Sequence, residues 1–364
     1  MMKAIRSLIC WLPLLTFICM TPASTEAATL SEDLYSFQVL LGGEPITLPC
    51  AYERMVKAGW NYTGNGEELL KPEHTVSSTW EKNGVLLSGE MVNTSWDVLP
   101  VKDCVLAAVE LVGSGAQAML PGGVLLGVSG VKEMMDAYGT PSACYEDGEV
   151  SQYTYQLDYE QEAVFTFSAV TGVLKAVSLR NVVIAAAPDP GILAGSSASG
   201  SSAYHAPDSL GEDPLSFRVS YGNALYTLPA PVAEFVKNGW VIKEGADGVV
   251  KAYGSGQITL ALGFDQWTTW VYNNSDKAAL AQSCLVTTMV SDLNRGDTPL
   301  LLPGGVSTGM AEAAALAVYD SLTVKTSETG ALRRHAFSSG KAGIVLFVQR
   351  DTGLVSRVEV TNIP

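Results

Sequence analysis

Three histidines (His74, His205 and His335) and four cysteines beyond residue 28 (Cys50, Cys104, Cys144 and Cys284) are the residues of this chain best suited to metal binding or nucleophilic chemistry. Their spacing serves neither. There is no His-Glu-x-x-His, no Cys-x-x-Cys and no Gly-x-Ser-x-Gly, and Ser339-Gly340-Lys341 lacks the upstream glycine of a phosphate-binding loop. The histidines read as isolated surface residues, and the sequence assigns no catalytic residue, no metal and no cofactor. Acidic residues are dense at Glu146-Asp147-Gly148-Glu149, Asp158, Glu160 and Glu162 but lack the alternating spacing of a calcium loop. They read as a solvated strand edge that discourages aggregation. Glycoside hydrolysis needs only two carboxylates at the right separation, and nothing here singles out two.

The remaining chemistry lies in tryptophans, and these are organised by a self-match of the chain. Phe37-Gln38-Val39, Thr47-Leu48-Pro49 and Val56-Lys57-Ala58-Gly59-Trp60 recur 180 residues later as Phe217-Arg218-Val219, Thr227-Leu228-Pro229 and Val236-Lys237-Asn238-Gly239-Trp240. The offset holds to Cys104/Cys284. It becomes 182 at Leu120-Pro121-Gly122-Gly123-Val124 and 181 at Thr171-Gly172. A repeat of this length predicts two homologous domains, residues 28–187 and 213–364. Trp60 and Trp240, each after a helix-ending glycine, are expected to be buried structural anchors, and Cys104 and Cys284 small apolar core residues. Trp80 and Trp96 stand opposite Leu260 and Asp276, whereas Trp267 and Trp270 stand opposite Leu87 and Glu90. A core position is expected to keep its apolar size after duplication. These four tryptophans are therefore the candidate binding residues, suited to stacking on sugars or anchoring a protein partner. Cys50 and Cys144 are replaced by Ala230 and Lys325 in the second copy, which makes them a candidate disulfide in an exported protein.

The elements that must position these residues follow from pattern. Residues 34–48 alternate around Gly42-Gly43 as a hairpin, matched by one turning at Gly222-Asn223. A short helix follows Pro49 or Pro229, with Val232, Phe235 and Val236 on one face in the second copy. Apolar strands run over Cys104–Val112 and Cys284–Ser291. A second helix covers 129–138 or 309–319, with Val131, Met134, Met135 and Tyr138 on one face. Strands at about 152–157, 163–169 and 173–180 complete the first copy. The fold expected is α+β, each domain an antiparallel β-sheet meander with two short helices packed on the sheet.

Lys3, Arg6 and the apolar run Leu8–Met20, ahead of Thr25-Glu26-Ala27, read as a signal peptide over residues 1–27. The mature chain is then expected to be secreted or extracytoplasmic, without membrane insertion. Residues 28–187 hold 20 acidic and 8 basic side chains, net −12, against 13 and 12, net −1, in 213–364. Such a balance argues against nucleic acid as a partner. Residues 188–212, rich in Gly, Ser and Pro, read as a flexible linker.

The stretch Gly127-Val128-Ser129, helix, Tyr138-Gly139-Thr140-Pro141, Tyr153-Thr154-Tyr155, Phe165-Thr166-Phe167, Thr171-Gly172-Val173 resembles a known pattern. It looks like the helix-plus-antiparallel-sheet unit shared by the β-lactamase-inhibitor-protein family and the small outer-membrane-assembly lipoproteins. The likeness covers about 55 residues per copy. The second copy departs from it, with Met310 in place of Ser/Thr and Asp320-Ser321-Leu322 where Gly-x-Pro is expected. The whole repeat also resembles duplicated modules of exported Gram-positive bacterial proteins that have no established activity. The resemblance implies export and duplication; no binding residues carry over. Taken together, the sequence points first to a non-enzymatic binding or interaction protein acting on an extracytoplasmic protein or glycan. A regulator or inhibitor of an extracytoplasmic enzyme comes second, and a glycan or cell-wall hydrolase with an unmarked carboxylate pair third.

Overall fold

The computed structural model describes residues 30–113, 118–194 and 204–364. The expected signal peptide and the Gly/Ser core of the linker, 195–202, lie outside the described residues. Strands hold 46% of the described residues and helices 16%, so antiparallel sheet carries the architecture and the helices are minor. Among the described residues no helix is long and apolar enough to cross a membrane.

The N-terminal half builds one long antiparallel sheet. From its edge the order is Ala143–Glu146, Val150–Asp158, Gln161–Ser168, Leu174–Asn181, Val105–Val112, Val85–Val92, Thr75–Lys82 and Asn61–Tyr62, with Cys50–Ala51 set against the start of Val105–Val112. The C-terminal half follows this order in two five-stranded sheets, Val324–Thr329, Leu332–Ser339, Ala342–Gln349, Val355–Asn362 and Thr288–Asp292 in one, and Ala230–Pro231, Leu285–Val286, Asp265–Tyr272, Ser255–Leu262 and Val241–Glu244 in the other. Registers agree at many matched positions, as Cys50↔Leu106 against Ala230↔Val286 and Ser78↔Gly89 against Ile258↔Thr269 illustrate, though the shift at Gln156/Asp158 has no counterpart between Leu332–Ser339 and Ala342–Gln349. Both halves interrupt the central strand at one place. Glu90 faces Ala108 and Met91 faces Leu106, leaving Ala107 extra; 180 residues on, Thr287 separates Leu285–Val286 from Thr288–Asp292. A bulge of this kind bends the strand and re-aims its side chains.

Alternation along each strand sends one set of side chains into the core beneath the helices and the other to an outer face. Phe165, Phe167, Leu179 and Leu111 fill the first core; Leu346, Val348, Val358 and Met289 fill the second. The helices Tyr52–Lys57 and Val232–Lys237 bury Met55 and Phe235, while Val236 stays half exposed, outside the apolar face expected for it. Gly59 and Gly239 end these helices at φ 84° and 91°, a conformation a side chain would strain. The next amide then turns back to the helix, Trp60 N to Met55 O at 3.0 Å and Trp240 N to Phe235 O at 3.1 Å. This closure drops each indole onto the core, and both tryptophans are buried. The second helices are Val131–Tyr138 and Glu312–Val318, each starting two or three residues later than the sequence pattern suggests. Tyr138 and Tyr319 secure their ends to the Pro-Gly-Gly turns through the carbonyls of Pro121 and Pro303.

The two halves meet through loops at the same sheet end. Val98 N donates to Asp276 O (2.9 Å), Ala252 N to Trp96 O (3.0 Å) and Ala278 N to Asp97 Oδ1 (2.7 Å). Lys277 pairs with Asp97 at 3.2 Å, Lys251 pairs with Glu73, and Lys71 Nζ lies 5.0 Å from the centroid of the Tyr253 ring. Each loop is rigidified by a buried asparagine. Asn93 donates to Leu70 O and Asp97 O, and Asn273 donates to Val250 O and Lys277 O; each accepts from the serine two residues on.

Candidate functional site

Of the four tryptophans that the sequence marks for binding, two are core residues. Trp80 is 0% exposed and packs on Tyr52 and Tyr62, with ring centroids 5.0 and 5.2 Å away. Trp267 is 5% exposed, 5.1 Å from the Trp240 ring. Strand pairing gives the physical reason for this correction. Trp80 lies directly opposite Leu87, and Leu260 directly opposite Trp267. The large and small members of one cross-strand pair have exchanged places, so apolar volume is kept by the pair and not by either position. Trp96 belongs to the contact between the halves. Its Nε1 donates to Ala185 O at 2.9 Å, and Lys251 Nζ lies 5.0 Å from its ring centroid.

Trp270 alone of the four stands open, at 50% exposure. It sits on Asp265–Tyr272, where Trp267, Thr269 and Val271 point inward and Thr268, Trp270 and Tyr272 outward. Opposite it on the neighbouring strand is Gln257, and on its other side the chain bulges at Thr287, whose N–H and Oγ1 both donate to Trp270 O (3.1 and 3.2 Å). Beyond the bulge, Thr288 and Thr361 face each other across two strands with their hydroxyls 3.2 Å apart. Thr268 meets Thr259 in the same way at 3.0 Å. Farther along this face Arg357 lies over the Phe347 ring, 5.4 Å from its centroid. The surface is thus one exposed indole beside rows of hydroxyls and small side chains.

The outer face of the N-terminal sheet differs at the matching positions. Glu90 takes the place of Trp270 and holds Arg180 at 2.5 Å; Glu160 holds the same guanidinium at 2.6 Å. The three side chains pair with one another and leave one net negative charge. The dense acidic residues lie at the rim of this sheet. Glu146 ends the wholly exposed edge strand Ala143–Glu146, and Asp147 caps the turn by accepting from the amides of Glu149 and Val150. Those two amides hold the Asp147 carboxyl below its ordinary range.

All four described cysteines are free. Cys50, buried, is set against Leu106 in line with Leu174–Asn181, whereas Cys144 is exposed on the edge strand three positions away in the sheet. Three strand spacings are about 14 Å, twice what a disulfide spans. The candidate pair is therefore not a bridge. Register also makes Thr326, not Lys325, the counterpart of Cys144: Thr326 faces His335 as Cys144 faces Tyr153. Cys104 and Cys284 are buried alike, each thiol 3.4 Å from the carbonyl four residues before it (Pro100 or Leu280). Burial pushes the Cys104 thiol up to about 11, with Asp103 adding to it, and the Cys284 thiol up to about 12, so neither is a nucleophile at neutral pH.

His335 corrects the expectation of a surface histidine. It is buried, with Nε2 2.7 Å from Glu312 Oε1 and Nδ1 3.0 Å from Thr326 Oγ1. Arg333 Nη1 lies 3.0 Å from both oxygens of Glu312, and Arg333 Nε donates to Glu328. Burial works to raise the Glu312 carboxyl, but the hydrogen bonds and charges of Arg333 and His335 outweigh it and leave it below the ordinary range. The group fastens the second helix to the outer hairpin, Val324–Thr329 with Leu332–Ser339. No spacing in the sequence reveals it, because the partners come from a helix and two strands whose register only folding sets. Comparison with known protein families and with curated proteins finds no match to this chain.

Proposed function

We propose that the chain is an exported, non-enzymatic binding protein of two homologous domains, and that the outer sheet face around Trp270 in the second domain takes a glycan chain. The observation that carries this reading is the half-exposed indole of Trp270, a large apolar side chain left partly in water. Its surroundings suit a sugar. The apolar face of a pyranose stacks on an indole, while its hydroxyls exchange hydrogen bonds with the flanking Thr268, Thr288 and Thr361. Tyr272, two residues along the same outward row, extends the aromatic surface by one strand repeat. Duplication is supported by the shared strand order and by matched registers in the two halves.

Retention of the mature chain on immobilised cell-wall polysaccharide, followed by titration of Trp fluorescence with soluble fragments, tests the proposal. Binding is expected, and Trp270→Ala should weaken it by about 30-fold or more, the loss of a buried contact residue, while the melting temperature stays near wild type. Equal binding by Trp270→Ala and wild type, or no binding to any glycan tested, overturns the reading.

A further inference from the structure

The contact between the halves has an internal symmetry. Lys71 meets Tyr253 and Glu73 meets Lys251; these positions are 71 with 73 of the other half, taken in both directions at the 180-residue offset. Asp97 meets Lys277, its own counterpart. Reciprocal contacts around a self-paired central position are the signature of a two-fold interface, here formed within one chain. We infer that the two halves are matched to each other through this pseudo-two-fold surface, and that the opposite charges at 97 and 277 make each half pair with its complement and not with a copy of itself.

Contact between two N-terminal halves would set Asp97 against Asp97, and contact between two C-terminal halves Lys277 against Lys277. The flanking pairs do not discriminate, since two N-terminal halves would still bring Lys71 to Glu73. Specificity therefore rests on the central pair, where repulsion against the wrong partner counts as much as attraction to the right one. The Asp97 carboxylate is directed across the contact: one oxygen accepts from Ala278 N, the other faces Lys277 Nζ. The partner that this surface fits is thus the complementary half, in the same chain or in a second copy of it.

A protease site inserted between Ser199 and Gly200 of the full chain, cleaved after folding, separates cause from tether. Gel filtration at 0.15 M salt is then expected to keep the two pieces of the unaltered protein together. Asp97→Lys should weaken the association roughly tenfold to hundredfold, since it removes a hydrogen bond to a charged group and creates a like-charge pair. The double variant Asp97→Lys/Lys277→Asp should restore co-elution, and 1 M salt should narrow the gap between the three proteins. Near-UV circular dichroism of each intact variant establishes that the halves are folded before cleavage; Asp97→Asn, a milder change, should fall between wild type and Asp97→Lys. Separation of the wild-type pieces, co-elution of Asp97→Lys at every concentration, or failure of the double variant to recover overturns the inference.

Discussion

At position 90 the N-terminal half carries a glutamate clamped to Arg180, which Glu160 also holds; at the matching position the C-terminal half carries the open indole of Trp270. The strands, the bulge beside them and their neighbours in the sheet are the same. One face commits its charged groups to one another, while the other leaves a large apolar ring half exposed to water. The difference teaches that one framework can carry a charged surface in one half and an aromatic one in the other. Its converse lies in the core, where Trp80/Leu87 and Leu260/Trp267 differ position by position and yet do the same job.

The largest expected effect tests the shared framework. Trp60→Ala and Trp240→Ala should each cost about 3–5 kcal/mol, as removal of a buried aromatic ring does. Chemical denaturation of the two variants would break the comparison if either unfolded like wild type. The costs should not be identical. Trp240 donates from Nε1 to Tyr226 OH at 3.2 Å and is ringed by Tyr221, Phe235 and Trp267, whereas Trp60 Nε1 has no partner among the described residues.

A smaller effect sharpens the core comparison. Trp80→Leu should destabilise by about 2–4 kcal/mol through the cavity it leaves, and Leu87→Trp by about 1–3 kcal/mol through overpacking. The double variant copies the arrangement of the other half and should be more stable than the sum of the two losses predicts. A double-mutant cycle with additive losses would show that the exchange is not a compensated pair.

The smallest effect concerns pH. The folded Glu312 carboxyl titrates below its ordinary 4.5, so its contribution to stability is present above that value and is lost as pH falls through the lower, folded one. Acid should therefore loosen the hairpin Val324–Ser339 where it packs on the second helix, seen as faster amide exchange there, whereas in Ala143–Asp158, where Val131 occupies the place of Glu312, acid should act only at the turn that Asp147 caps. Glu312→Gln should abolish that acid step. Equal acid sensitivity of the two hairpins would count against the assigned role.

Much of this framework was legible from residue order. Glycines at 59 and 239, hairpin turns and alternating strands are local signals, and they place helices and strands within a few residues. Trp60, Trp240, Cys104 and Cys284 were legible as core because both copies keep them. Trp80 and Trp267 were not, because the rule of kept size applies to a volume shared across two strands and the pairing partner is invisible in one strand. The same limit hid His335 and misled on Cys50 and Cys144: a sheet separates or joins residues by strand order, which one-dimensional spacing does not carry. Met135, included in an apolar helix face, is more than a third exposed, while Met134, Val131 and Tyr138 pack on the core.

The opposed Trp/Leu pairs set which pieces of one half could stand in for the other. A crossover falling outside Thr75–Val92 and Ser255–Tyr272 transfers a hairpin whole, with one indole and one isobutyl group in register. A crossover at the tip of the hairpin joins Trp80 to Trp267 in one product and Leu260 to Leu87 in the other. The first would have two indoles competing for one space and the second a void, so this pair is preserved only when the hairpin is exchanged whole.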